Sequence, residues 1–253
     1  KSGLYVVSTP IGNMEDITFR ALNVLKKSDI ILCEDTRRSS KLLFHFEIKN
    51  KLQAYHKFNE KKISEKIIDY IKKNKIVSII SDAGTPIISD PGAILVNKCI
   101  DEKINIYPIP GASSVTSSIS ISGFSDKYLF YGFLPKKEKE LERVLKNLSN
   151  FSYSIVLFIT APKINFYISR FKEYFRNRKI MIAKEMTKMH EEFFRNDINS
   201  INDFSKDLKG ELTVVISEQE KDKKFGKKIN ESVKIEIKKM IKKYKHKDVV
   251  EFI

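Results

Sequence analysis

The sequence predicts an α/β protein: two α/β domains followed by a small helical C-terminal extension. Three observations carry this expectation. Short apolar runs alternate with amphipathic helix patterns from Leu4 to Ile109, the βαβα rhythm of a mostly parallel sheet covered on both faces. The small, largely polar stretch at 111–118 interrupts that rhythm before a second series of apolar runs begins. Residues 221–253 then carry twelve lysines against five acids, with Ile229, Val233, Ile237, Met240, Ile241 and Tyr244 spaced as one apolar helix stripe. The expected domains are therefore 1–112 and 113–222, with a basic helical extension over 223–253. A chain of 253 residues is long enough for two such cores.

In chain order, residues 4–7 form the first expected strand. Asp16 reads as the N-cap of a helix that sets Ile17, Ala21, Val24 and Leu25 on one face. A second strand is expected at 30–33. Ile63, Ile67, Ile68 and Ile71 share one face of a helix over 60–73. Then come a strand at 76–80, a helix over 92–102, and a strand at 104–109 interrupted by Pro108. The second half reads as strands at 128–131, 153–159, 180–183 and 212–217, with helices over 136–149 and 163–175.

The formal charge is +15, from 47 basic and 32 acidic residues. Such an excess fits a polyanionic partner such as nucleic acid. It fits a lysine-rich coding bias equally well, since 39 of the 47 basic residues are lysine. No apolar stretch approaches the roughly 18 residues of a membrane span, so no membrane association is expected. The opening residues read as a strand rather than a signal peptide. Cys33 and Cys99 form no CxxC pair, and a reducing, cytoplasmic compartment is the expectation. Several site types are excluded: no glycines are spaced G-x-G, and there is no Walker A loop, no HExxH and no G-x-S-x-G.

Four polar loops follow expected strands: 8–13, 34–37, 81–86 and 110–114. In a parallel sheet the carboxyl ends of strands share one rim, where open α/β folds bind ligands. Gly84 permits close backbone approach, and a loop that enters a helix offers N–H groups to a carboxylate or phosphate. Ordinary turn chemistry accounts for any one of these loops; four on one rim point to a ligand cleft.

Six stretches stand in order along the chain: LYVVSTPIGNMEDITFRAL, CEDTRRSSKLL, SDAGTPIISDPG, IPGASS, YGFLPKK and AKEMTK. Together they resemble the ribosomal RNA small subunit methyltransferase I group of the tetrapyrrole methylase superfamily, over residues 3 to 218. The resemblance implies two α/β domains with S-adenosyl-L-methionine in the cleft between them, usually in a homodimer. It implies methyl transfer to the ribose 2′-hydroxyl of a cytidine in 16S rRNA of the small ribosomal subunit. It also implies cofactor contacts from the loop holding Asp82, Ala83, Gly84, Thr85 and Ile88, from Ser113 and Ser114, and from Pro10 and Ala183. Two departures stand out. The second-half loop reads Phe158-Ile159-Thr160-Ala161-Pro162-Lys163-Ile164, without the acid and arginine usual in the group. Lys184 replaces an arginine, keeping the charge but losing the bidentate fork.

A ribose hydroxyl is a poor nucleophile at neutral pH, so a base or a stabilising cation is expected beside it. Asp35 and Glu185 are the candidate bases, with Arg37 or Lys184 as the cation. Asp35 is equally placed to cap the helix after it, and Glu185 to pair with a neighbouring lysine. Two rival readings are a small-molecule methyltransferase on the same fold and a non-catalytic RNA-binding relative.

Overall fold

The structure, a computed structural model, describes residues 1–206 and 208–219. The expected extension over 223–253 lies outside the described residues. Lys1–Glu218 form one compact unit.

The first sheet contains β1 (Gly3–Val7), β2 (Ile30–Cys33), β3 (Leu52–Ala54), β4 (Ile76–Ile79) and β5 (Ile106–Ile109). Their order is β3-β2-β4-β1-β5 and every pair is parallel. The central strands are apolar without alternation because helices cover both faces. On one face α3 (Glu60–Lys72) and α4 (Ala93–Asp101) bury Ile67, Ile68, Ile71 and Leu95 against Leu4, Leu32 and Val77. On the other, α1 (Phe19–Lys27) and α2 (Thr36–His45) bury Ala21, Leu25, Leu42 and Leu43 against Val7, Ile31 and Ile80. Pro108 does not break β5. It pairs with Val6 on an edge strand, where a missing N–H is tolerated.

The cap of α1 differs from the expectation. Asp16 lies in a short 3₁₀ turn, Met14–Asp16, and α1 begins after Thr18, whose hydroxyl accepts from Ala21 N at 3.0 Å. Asn13, Asp16 and Thr18 are all good capping types, and only the path of the chain decides among them.

Helix α5 (Ser114–Ser122) ends at Gly123, in the left-handed region at φ 72°, and leads into the second sheet. That sheet contains β6 (Tyr128–Phe133), β7 (Ser154–Thr160), β8 (Lys179–Lys184), β9 (Glu192–Asp197) and β10 (Glu211–Ile216). The order is β6-β7-β10-β8-β9, with β6 and β7 parallel and the other pairs antiparallel. Helices α6 (Glu138–Ser149) and α7 (Ile164–Tyr174) cover one face, packing Leu141, Leu145, Ile168 and Phe171 on Ile155, Leu157, Ile182 and Val214. Val156, Met181, Ala183 and Val215 on the opposite face pack with Ile11 and Val115 from the first half. This contact brings the rim of the first sheet against the second.

Arg178 is 2% exposed. Its guanidinium donates to the carbonyls of Ser149 at 2.9 Å, Ser217 at 3.2 Å and Tyr153 at 3.5 Å, and also to that of Phe151. One cation thus ties the end of α6 to the strands beside it.

Candidate active site

The four polar loops do share one rim, at the carboxyl ends of β1, β2, β4 and β5, and hydrogen bonds lace them together, with Asp35 N donating to Asp82 Oδ1 at 3.3 Å. Thr9 and Gly84 exchange backbone bonds, at 2.9 Å from Thr9 N and 3.1 Å from Gly84 N. The Ser8 and Thr85 hydroxyls lie 3.1 Å apart, and Thr85 Oγ1 donates to Ala112 O at 3.4 Å. Gly84 has φ +76°, a value that favours glycine. Further along the same loop Ile87 (φ 75°) and Ser89 (φ 71°) also hold left-handed backbone, a costly conformation for a β-branched residue. This strained stretch brings Ile88 and Asp90 onto the wall of a cleft.

The cleft has a volume of about 370 Å³. One wall comes from the first-sheet rim and the other from β6, β7, β8 and the start of β10. Of the sequence-predicted cofactor residues, Asp82, Ala83, Gly84, Thr85, Ile88, Ser113, Ser114 and Ala183 all line it. Pro10 lines an adjoining space that shares Ile11, Arg38, Asp82 and Ala83 with the cleft. The helix α5 opens onto the cleft through Ser113, Ser114 and Val115, and the Ser113 side chain makes no capping bond of its own. Those N–H groups and hydroxyls suit a carboxylate. The apolar side chains Ile11, Ile88, Val115 and Met186 suit the uncharged parts of a nucleoside. The residues present therefore fit S-adenosyl-L-methionine.

The structure does not bring the expected catalytic residues together in this cleft. Asp35 and Arg37 line a neighbouring recess with Glu34, Arg38, Ala54 and Asp82. Asp35 caps α2, accepting from Arg37 N at 2.8 Å, and is gripped by Arg37 Nε at 3.1 Å and Nη2 at 2.8 Å. This pairing pulls its carboxyl down to about 2, which makes Asp35 a weak base. Glu185 lies behind the cleft wall. Its Oε1 accepts from Glu211 N at 2.8 Å and Lys188 Nζ at 2.9 Å. Burial raises the Glu185 carboxyl, but these donors outweigh it and leave the group below its ordinary range. A Cβ at Gly210 would stand 2.4 Å from the Glu185 carboxyl, so Glu185 positions the cleft segment that begins at Gly210. Lys184 is paired with Glu192.

The acid that the sequence reading missed is Asp90. Three described carboxylates line the cleft: Asp82, Asp90 and Glu211. Asp82 pairs with Arg38 at 3.3 Å and Glu211 with Lys188 at 2.9 Å. Among the described residues Asp90 makes no ion pair. Burial, then the nearby charges of Glu34 and Asp82, push its carboxyl up to about 6, against a smaller lowering by the Ser81 hydroxyl. The available signal was the second acid of SDAGTPIISDPG, which reads as turn chemistry because Pro and Gly follow it.

A parallel sheet whose strand ends face a second sheet across a nucleoside-sized cleft defines an α/β fold that binds its ligand at the sheet rim. The chain belongs to the Tetrapyrrole (Corrin/Porphyrin) Methylases family, which it matches over residues 3–202. It is 46% identical over 220 residues to the ribosomal RNA small subunit methyltransferase I of Rickettsia prowazekii, covering 86% of this chain and 79% of that one. It is 44% identical to the protein of that name from Thermotoga maritima, over 86% of this chain and 99% of the relative. Its fold also resembles the uroporphyrin-III C-methyl transferase of Thermus thermophilus complexed with S-adenyl homocysteine. There the TM-score is 0.59 at 12% identity, over 85% of this chain and 97% of that one. The family expected from the six sequence stretches is the family found.

Proposed function

We propose that this chain transfers a methyl group from S-adenosyl-L-methionine to the ribose 2′-hydroxyl of a cytidine in 16S rRNA. Its membership of a methylase family and its relatives' names support methyl transfer to small-subunit ribosomal RNA. The observation that carries the chemical step is Asp90, a cleft carboxylate that has no ion-pair partner among the described residues and a raised pKa.

The Gly84–Thr85 backbone, the Ser113 and Ser114 groups at the start of α5, and the apolar side chains Ile11, Ile88, Val115, Ala183 and Met186 would hold the cofactor. When bound, S-adenosyl-L-methionine supplies a methyl group already activated by a sulfonium. The protein must therefore align donor and acceptor and take the hydroxyl proton. Asp90 takes that proton at a carboxylate oxygen. A base poised near the working pH contributes about 10² to 10⁴ in rate, and a carboxyl near 6 is better poised than the Asp35 carboxyl near 2. Asp35 orders the Arg37 guanidinium at the mouth of the neighbouring recess, where it suits an RNA phosphate.

The reading includes two domains divided near residue 112, each carrying one sheet, and a homodimer acting on the small subunit or its rRNA. Two free, buried cysteines fit a cytoplasmic setting. The test uses methyl-labelled cofactor with small-subunit particles, naked 16S rRNA and a porphyrinoid, followed by mass mapping of ribose methylation. Label in a 2′-O-methylcytidine is expected, at a rate that falls about tenfold per pH unit below about 6 and is level above it. Label in the porphyrinoid alone would overturn the reading.

A further inference from the structure

The aromatic side of the cleft has no part in the chemistry described so far. Phe133 lines the cleft and is 58% exposed. Its ring rests on Phe158, with centroids 5.3 Å apart, and Phe158 in turn meets Phe130 at 5.0 Å. One edge of the Phe133 ring is thus supported while much of its surface stays open.

A local irregularity in β6 puts it there. The register along β7 runs Phe130 to Val156, then Gly132 to Leu157 and Phe133 to Phe158, so Tyr131 is an extra residue. Side chains alternate along a strand, and Phe130 and Phe133 would otherwise fall on opposite faces. The bulge restores Phe133 to the face that carries Phe130 and Phe158, as bulges beside active sites re-aim side chains. Gly132 completes the device. It has φ +83°, and a Cβ there would stand 2.9 Å from Ser89 Oγ. Strand β6 therefore touches the loop at the residue next to Asp90.

These facts put an open aromatic face in the cleft that Asp90 also lines, on the strand that touches Ser89. A nucleotide inside a cleft has left its neighbours' stack, at a cost of a few kcal/mol, and an aromatic side chain restores stacking whatever the base. We infer that Phe133 is the platform on which the base of the target nucleotide stacks, so that its ribose hydroxyl lies toward Asp90. This rests on the reading of the chain as an RNA ribose methyltransferase.

The experiment compares wild type, Phe133→Leu and Phe133→Tyr on a 16S rRNA fragment or particle that the wild type methylates. It also measures affinity for that RNA and for one whose target nucleotide lacks its base but keeps its ribose. Phe133→Leu is expected to weaken productive binding of intact RNA by about 5- to 150-fold, and Phe133→Tyr to restore it. On the abasic RNA, Phe133 and Leu should be equivalent, and calorimetric affinity for S-adenosyl-L-methionine should not change. A leucine penalty that persists on abasic RNA, a parallel loss of cofactor affinity, or no penalty at all would overturn the platform. If the wild type binds cofactor but methylates no small-subunit RNA, the proposed function fails and the platform falls with it.

Discussion

Asp90→Asn should make this protein more stable and less active, and the size of the first effect follows from the site. Burial and the charges of Glu34 and Asp82 hold the Asp90 carboxyl at about 6 instead of 3.8. A carboxyl whose pKa is higher in the fold than in the unfolded chain favours the fold when protonated. Its contribution is complete below 3.8 and is lost as the pH rises through about 6. At pH 8 the charged group costs the fold at most about 3 kcal/mol, and about 1–2 kcal/mol once its partial exposure to solvent is allowed for. Asparagine keeps the shape and removes the charge. At roughly 2–4 °C per kcal/mol for a chain of this size, the variant should melt about 2–8 °C above wild type at pH 8. The gain should vanish below about pH 3, where the carboxyl is neutral in both the folded and the unfolded chain. Single-turnover methyl transfer should fall by about 10² to 10⁴. Thermal melts at both pH values and a quenched time course measure the two effects. A pH-independent gain, or none, would refute the electrostatic argument. Undiminished transfer would remove Asp90 as the base.

The remaining predictions concern three other positions. Gly84→Ala forces a side chain into left-handed backbone, 3.2 Å from Ile11 Cγ2, at about 1–2 kcal/mol; melting should drop a few degrees, and calorimetry should show cofactor affinity greatly reduced. Arg178→Lys leaves buried carbonyls without their donors and should cost about 3 kcal/mol or more, read as a fall of roughly 6–12 °C in Tm with cofactor affinity at low temperature preserved. Asp35→Asn keeps a good helix cap, so its melting temperature should hold, and its single-turnover rate should stay far above that of Asp90→Asn. A collapse in rate equal to that of Asp90→Asn would return the base to Asp35.

Much of the first sheet was legible because its signals are local. Ile30–Cys33 matches the expected strand at both ends, and the helix with Ile63, Ile67, Ile68 and Ile71 falls within one residue of its expected bounds. Strands β3 and β9 were not read, and helix α2 was read only as the helix that Asp35 could cap. Helix α2 begins Thr-Arg-Arg-Ser-Ser, with Leu42 and Leu43 its buried apolar side chains, and β3 has three residues. Such segments take their form from what they pack against.

The cleft divides in the same way. Composition and periodicity determined that polar loops end parallel strands, and the chirality and sharing of a sheet put those loops on one rim. Local chemistry marked the Gly84 loop for close backbone approach, whereas Thr85, Ser113 and Ser114 were expected from the family resemblance, and all four line the cleft. The work of each acid was decided only by the tertiary structure. Asp35, Asp90 and Glu185 are all carboxylic acids, and their protonation depends on which groups the fold brings against them. Arg37 neutralises Asp35, Arg38 pairs with Asp82, and Lys188 and the Glu211 N–H hold Glu185. Asp90 keeps burial and two like charges as its surroundings. Electrostatic energy falls off with distance through space and with local dielectric, and neither quantity is written along the chain.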